Sequence, residues 1–301
     1  MPTRCFLCFV MSIALAVSTM SSTRAETDVL RRLDELGATV TMDHGDAVGL
    51  KIDCTDLTDA DYGLIASLKS LKSISIDGKP LLDHHLQILS QLSDLQAFQI
   101  NGTMLTDDGY RHFAALKNLR RLSLFHPSRD VEEFTGSGLA HLKTLPNLKQ
   151  LTFAGATAGD EALKAVGQLT QIEEFRQWHN WDSPDGIKHL AGLDNLRTLK
   201  VGQRLPNWST VRPASLDDAT IPVIASMNSL ETVDLQEARL TYAGLIRLKS
   251  LPKLKTIKLK WVDIPESDIV KLKRELPDVT IDWVPLSAKD EQDLLVKKLK
   301  L

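Results

Sequence analysis

Residues 71–76 read LKSISI, residues 95–100 read LQAFQI, and residues 119–124 read LRRLSL. The three stretches begin 24 residues apart and share the pattern LxxLxL, in which L stands for an aliphatic or aromatic residue. A fixed period of this length is typical of repeat architectures, in which each unit packs on its neighbours. The pattern therefore predicts a stack of short, evenly spaced strands.

The same pattern recurs through most of the chain. Nine copies and a closing strand align on their apolar positions: Ala47/Leu50/Ile52, Leu71/Ile74/Ile76, Leu95/Phe98/Ile100, Leu119/Leu122/Leu124, Leu148/Leu151/Phe153, Ile172/Phe175/Gln177, Leu196/Leu199/Val201, Leu230/Val233/Leu235, Leu254/Ile257/Leu259, and finally Ile281/Trp283. Side chains alternate between the two faces of a strand, so these positions predict a buried face and the residues between them an open face.

A second pattern lies between the strands. Residues 57–68 read LTDADYGLIASL, residues 105–116 read LTDDGYRHFAAL, and residues 240–248 read LTYAGLIRL. Thr is a favourable helix N-cap, and Asp is favourable in the first helical turn. The apolar residues that follow recur at helical spacing. Each unit is therefore predicted to be a strand, a turn and a short helix.

These residues resemble leucine-rich repeat proteins, over about residues 26–284. The LxxLxL strand with a TDxGLxxLxxL half is similar to exported bacterial (planctomycete-like) arrays and to F-box-type arrays. The resemblance implies an α/β solenoid, or horseshoe, with a parallel concave sheet and short convex helices. Because the repeats occupy almost the whole predicted mature chain and leave no room for a catalytic domain, we predict a non-catalytic binding module. The asparagine usual in such repeats is replaced at Thr55, Lys79, Thr103, Ala156 and Ala238.

The two ends predict how the array is delimited. Residues 1–25 carry Arg4 and a 13-residue apolar run at 5–17. The run is shorter than the ~20 residues of a membrane span. Together these features predict a cleaved signal peptide. Its alternative is an uncleaved anchor. Residues 26–46 are predicted to be a capping helix and strand, residues 47–284 the array, and residues 285–301 a tail with an amphipathic helical pattern. The tail would cover the end of the solenoid, or bind a partner or a membrane surface.

These signals predict an exported protein, either periplasmic, in the cell envelope or secreted. No membrane span is expected after signal cleavage. The oligomeric state stays open.

Composition excludes several classes of function. The chain has 301 residues, 43% of them hydrophobic, and a net charge of −3, which argues against disorder and against a nucleic-acid-binding protein. The sequence contains no GxSxG, HExxH or Walker pattern, and its one CxxC, at residues 5–8, lies in the predicted signal peptide, so no catalytic residue, cofactor or metal is expected. The adjacent His84 and His85 are predicted to face solvent at the start of a helix. Cys54 is predicted to be a small side chain at a strand end.

Mid-array aromatic and basic residues form the predicted binding surface. Phe125 and Trp178 occupy outward strand positions, and two insertions, at residues 126–136 and 203–216, follow strands on the same edge. The predicted partner is a protein, with a glycan as the alternative, and the predicted contact residues are Arg121, Phe125, His126, Arg176, Trp178, His179, Trp181, Lys200 and Trp208. In the alternative interpretation Trp181, and Trp178 with it, packs under its own loop, and the insertions are tolerated loop variation.

Two other functions remain open from the sequence. One is a structural protein of the cell envelope that assembles through its ends or its tail. The other is a hydrolase-like site built from His126, Arg176, Trp178 and His179.

Overall fold

A computed structural model describes residues 26–204 and 214–301 of the chain. Within these residues the protein is an α/β leucine-rich repeat solenoid with a single eleven-stranded sheet, whose spatial order is the order along the chain. The strands are β1 Thr39–Asp43, β2 Asp46–Asp53, β3 Ser73–Asp77, β4 Ala97–Asn101, β5 Arg121–Phe125, β6 Gln150–Ala154, β7 Glu174–Trp178, β8 Thr198–Gly202, β9 Thr232–Arg239, β10 Thr256–Asp263 and β11 Thr280–Trp283.

The helices alternate with the strands. The α-helices are α1 (26–35), α2 Asp59–Ser67, α3 Asp83–Leu89, α4 Asp160–Val166, α5 Ile221–Ile224, α6 Tyr242–Leu245, α7 Glu266–Glu275 and α8 Ala288–Gln292. Tighter 3-10 helices occupy Asp108–Ala115, Ser137–Thr144, Gly186–Leu190 and Ile246–Ser250. Several repeats therefore carry a 3-10 segment where the apolar spacing predicted an ordinary short helix.

The strand register matches the sequence repeat. From β2 to β11 neighbouring strands are parallel and pair position for position, as in Ile74 with Phe98 and Ile76 with Ile100. Most LxxLxL positions are buried in a continuous apolar core, Leu254 and Trp283 are partly buried against it, and the buried Gln177 is polar. At the start of the array β1 pairs antiparallel with β2, and Leu33 of α1 is fully buried against the first repeat.

A ladder of carboxylates joins neighbouring repeats on the helix side. The N–H and the hydroxyl of Thr106 donate to Asp83 at 2.9 and 2.7 Å, and Thr241 donates to Asp218 in the same way at 3.0 and 2.6 Å. The Thr hydroxyl also accepts from the third residue of its own turn, as in the bond from Gly109 N. Each threonine thus caps its own helix and binds the repeat before it, which explains why Thr and Asp recur together.

The C-terminal tail folds back along the sheet. It forms α8 and a π-helical segment, Asp293–Leu299, with Leu294 and Leu299 buried. The π-helical segment contacts β9, and α8 contacts β10. Across the part of the chain that the structure describes, no helix is both long and apolar enough to cross a membrane.

Candidate functional site

Two aromatic rings lie together on the open face of the sheet. Phe125 at the end of β5 and Trp178 at the end of β7 have ring centroids 5.9 Å apart. The slot between them on β6 holds Ala154, which is paired in register with both residues and leaves room for the rings to approach. Both aromatic residues are partly exposed. We call Phe125, Ala154, Trp178 and Lys200 the mid-array face.

Lys200 completes this face. Its ammonium lies 4.9 Å from the centroid of the Trp178 ring, within the range of a cation–π contact. On its other side it lies 3.8 Å from Asp234. Burial lowers the pKa of Lys200, Asp234 opposes that change, and the neighbouring Lys260 and Arg176 lower it further. The face therefore offers two apolar rings beside a cation that is only partly hydrated.

Of the two predicted arginines, Arg121 lies away from the aromatic pair. Arg121 begins β5, four residues before Phe125, which is about 13 Å along a strand. It lines a separate depression of 380 Å³ on the open face, together with Ser75 and Gln99. Arg176 is exposed in the middle of β7, where its guanidinium contacts Glu174. The structure thus groups Phe125, Trp178 and Lys200 and separates Arg121 from them.

One edge of the sheet carries a column of left-handed backbone positions. In each of these repeats the residue two positions beyond the last core side chain has a positive φ: Gly78, Gly102, His126, Gly155, His179, Glu237 and Trp261. Left-handed geometry costs a non-glycine residue about 1 kcal/mol or more. Such strain concentrates at functional sites. Four bulky residues therefore hold strained backbone positions along this edge, and two of them, His126 and His179, directly follow Phe125 and Trp178 of the mid-array face.

The two histidines of this column each contact a polar side chain. Nδ1 of His126 lies 2.9 Å from Oδ1 of Asn101, and its ring covers Gly155 so closely that a Cβ there would overlap it. Burial lowers the pKa of His126, and Arg129 and His179 add to that effect. Nε2 of His179 lies 2.6 Å from a carboxylate oxygen of Glu237.

Glu237 links the column to the tail. Its other carboxylate oxygen accepts a hydrogen bond from Lys298, whose ammonium also lies 5.3 Å from the Trp261 ring centroid. Burial alone would raise the pKa of Glu237, but the bonds from His179 and Lys298 outweigh it and lower the pKa to about 2. The carboxylate is therefore charged at neutral pH and fixes both the His179 ring and the tail.

A buried polar network supports the segment from Trp178 to Trp181. Gln177 occupies a core position and is fully buried, and its side-chain oxygen accepts from Asn180 at 3.1 Å. Asn180 also donates to the Phe153 carbonyl and accepts from Ala156 N. It therefore bridges to the preceding repeat at the position where earlier repeats carry Thr103 and Ala156.

Buried polar residues anchor the described ends of both insertions. In the first, Ser128 is fully buried and donates to the Leu105 carbonyl at 2.6 Å, and Phe134 packs near Tyr110 and Phe153. In the second, buried Gln203 accepts from Ser215 N at 2.6 Å, which closes the loop at its base. Both loops therefore have fixed ends beside the mid-array face.

Of the two predicted contact tryptophans that follow β7 and β8, the structure describes only Trp181. Trp181 is 39% exposed, so it does not pack fully under its own loop. Trp208 lies outside the described residues, as does the predicted signal peptide at residues 1–25.

The prediction that His84 and His85 both face solvent is wrong for His85. His84 is half exposed, but His85 is only 6% exposed and stacks on the Tyr62 ring at 4.0 Å. The first turn of α3 packs against the preceding repeat, which the periodicity of α3 alone does not reveal. Cys54 is buried, and burial raises the pKa of its thiol.

Comparisons with known proteins add little to this geometry. No protein-family model matches the chain, and no curated protein matches it. Among the solved structures that match is internalin C2 of Listeria monocytogenes, with 18% identity and a TM-score of 0.45 over 77% of this chain and 84% of that chain. The leucine-rich repeat fold is thus read from the chain's own sheet and repeat register.

Proposed function

We propose that the protein is a non-catalytic, exported binding module that recognises a protein partner through the open face of its sheet. The observation that carries the proposal is the mid-array face. Phe125 and Trp178 stay partly exposed on a sheet whose other outward side chains are mostly small or polar. Aromatic residues are enriched at the centres of protein interfaces.

The fixed insertions and the strained edge column support the same surface. Both insertions leave the sheet beside the mid-array face, and insertions on one side of a solenoid often mark its binding side. In the first insertion the buried anchor Ser128 reduces the loop ordering that binding requires. A glycan stacked on Trp178 is the alternative ligand for this surface.

Capture from a native envelope and secreted fraction tests the proposal. The bait is the purified full chain, compared with Trp178→Ala and with the double variant Trp178→Ala, Phe125→Ala. Lys258→Ala is the matched control, because Lys258 is an exposed outward residue on β10, three strands from Trp178. We expect a partner that the wild type and the control retain and that the aromatic variants lose.

Three results would count against this assignment. A partner lost only with Lys258→Ala would move the site to the C-terminal strands. The absence of any partner would favour the structural envelope role. The third result concerns the pair of His179 and Glu237, a carboxylate–imidazole arrangement that a hydrolase would use. Hydrolysis by the purified chain that disappears in His179→Ala would favour that enzyme.

A further inference from the structure

Three potential metal ligands meet on the helix side, between two neighbouring repeats. Asp59 is the first residue of α2, and His84 and His85 lie in the first turn of α3. Nε2 of His85 lies 2.9 Å from Oδ1 of Asp59, and Nε2 of His84 lies 3.2 Å from the same oxygen. One ligand atom from each of the three residues lies within 4.8 Å of the other two. The two imidazoles therefore converge on one carboxylate.

His85 is held in the orientation that a metal ligand needs. It is 6% exposed, and its ring is stacked on Tyr62 at an interplanar angle of 12°. Its Nδ1 lies 3.1 Å from the Pro80 carbonyl and 3.2 Å from the Leu82 N–H. Protein histidines that bind metals usually donate their second ring N–H to such a carbonyl.

The two neighbours of Nδ1 allow two tautomers of His85. When Nδ1 accepts from Leu82 N–H, the proton lies on Nε2 and is donated to Asp59. When Nδ1–H donates to the Pro80 carbonyl, the lone pair of Nε2 points to the place that Asp59 and His84 also face. A metal ion selects the second tautomer, and both states satisfy the buried ring.

We propose that Asp59, His84 and His85 bind one divalent transition-metal ion, with zinc as the reference ion. In a tetrahedral zinc site the ligand atoms lie about 2.0–2.2 Å from the metal, and hence about 3.3 Å from one another. The two measured separations, 2.9 and 3.2 Å, are close to that value. A modest movement of His84, whose side chain is 49% exposed, is enough to bring its Nε2 atom to the same spacing from Nε2 of His85.

The donor set defines the class of ion. Two imidazoles and one carboxylate suit zinc, copper, nickel and ferrous iron, whereas calcium and magnesium prefer oxygen ligands throughout. Three protein ligands leave the fourth position of a tetrahedral ion open, and the Asp59 side chain is 73% exposed, so that position faces solvent. The site lies on the helices, whereas the proposed binding face lies on the sheet, so neither proposal depends on the other.

Metal titration of the full chain, without a histidine tag, tests the proposal. Isothermal titration calorimetry with zinc should give one ion per chain, and cobalt should give the visible absorption bands of a tetrahedral site. We expect His84→Gln, Asp59→Asn and His85→Gln each to weaken zinc binding by at least about tenfold. Magnesium and calcium should produce no binding heat.

The controls separate a ligand role from a loss of folding. His84 and Asp59 are exposed, so their variants should keep the circular dichroism spectrum of the wild type even if His85→Gln does not. His141→Gln is the matched control, because His141 is an exposed histidine on the helix segment Ser137–Thr144. The proposal is overturned if zinc does not bind, if folded His84→Gln and Asp59→Asn bind zinc as the wild type does, or if His141→Gln weakens binding equally.

Discussion

Asp182 gives a quantitative test of how the segment below the mid-array face is held. Its side chain is 1% exposed, one carboxylate oxygen lies 3.4 Å from Nε2 of Gln177, and the other has no partner among the described residues. Burial raises the pKa of this carboxyl from 3.8 to about 7, and the charge of Asp160 adds to the rise. The nearby backbone N–H of Asp182, the bond from Gln177 and the charge of Arg204 offset only part of it. The ionised form is therefore disfavoured in the folded protein.

The sign of the pH dependence follows from that difference. Because the pKa is higher in the folded state, the contribution of Asp182 to stability is fully present below pH ~3.8 and is lost as the pH rises to about 7. At ~1.36 kcal/mol for each pKa unit, the loss is about 4 kcal/mol. Asp182→Asn removes the charge but places amide hydrogens beside the unpaired oxygen site, at a cost of about 1–3 kcal/mol. We expect a net gain in the free energy of unfolding of about 1–3 kcal/mol at about pH 8.

Urea unfolding of the wild type and of Asp182→Asn, at about pH 5 and about pH 8, measures this effect. The gain should be larger at the higher pH, where the wild type has lost more of the contribution. Asp185→Asn is the control, since Asp185 is exposed in the same loop and should change stability by less than about 0.5 kcal/mol. The reasoning would be refuted if Asp182→Asn and the wild type differed in free energy of unfolding by the same amount at both pH values. It would also be refuted if the variant were less stable than the wild type at about pH 8.

The ladder and the tail give two further predictions. Gly109→Ala should lower the free energy of unfolding by at least about 1 kcal/mol, because its Cβ would overlap the Asp83 carboxylate. Gly63→Ala, at an open position of α2, should raise the free energy of unfolding by about 0.5–1 kcal/mol. Urea unfolding measures both variants, and equal effects would contradict the role of the carboxylate ladder. Lys298→Met should release the tail, seen as lower hydrogen-exchange protection factors after residue 285. Acidification through the range from pH 4.5 to about 2 should also lower these protection factors, taken against the intrinsic rate at each pH, in the wild type as Glu237 is protonated. Unchanged exchange in either case would contradict the role of that ion pair.

The periodic part of the fold is predictable because it depends on local spacing. Every LxxLxL copy sits in register on the sheet, and the threonine of residues 57–68 caps α2 as the sequence predicts. Thr106 and Thr241 each bind an aspartate 23 residues earlier, Asp83 and Asp218. The sequence shows that these residues recur, but the contact between them becomes visible only when neighbouring repeats are stacked.

The parts of the candidate site that sequence reasoning missed depend on contacts between distant segments. Glu237 and Lys298 are 61 residues apart, and their contact requires the tail to fold back on β9. The contact between Lys298 and the Trp261 ring depends on the same fold-back. His85 was expected to face solvent because its packing partner, Tyr62, belongs to another repeat.

Hydrogen exchange of the full chain, with and without the captured partner, tests the central claim most directly. The account predicts that protection is concentrated on β5 to β8 and on the loops that follow β5, β7 and β8, and that Trp178→Ala weakens binding by at least about 2 kcal/mol, or about thirtyfold. Lys258→Ala should bind as the wild type does. Protection confined to the helix side or to the C-terminal strands, with unchanged affinity in Trp178→Ala, would contradict the assignment of the mid-array face.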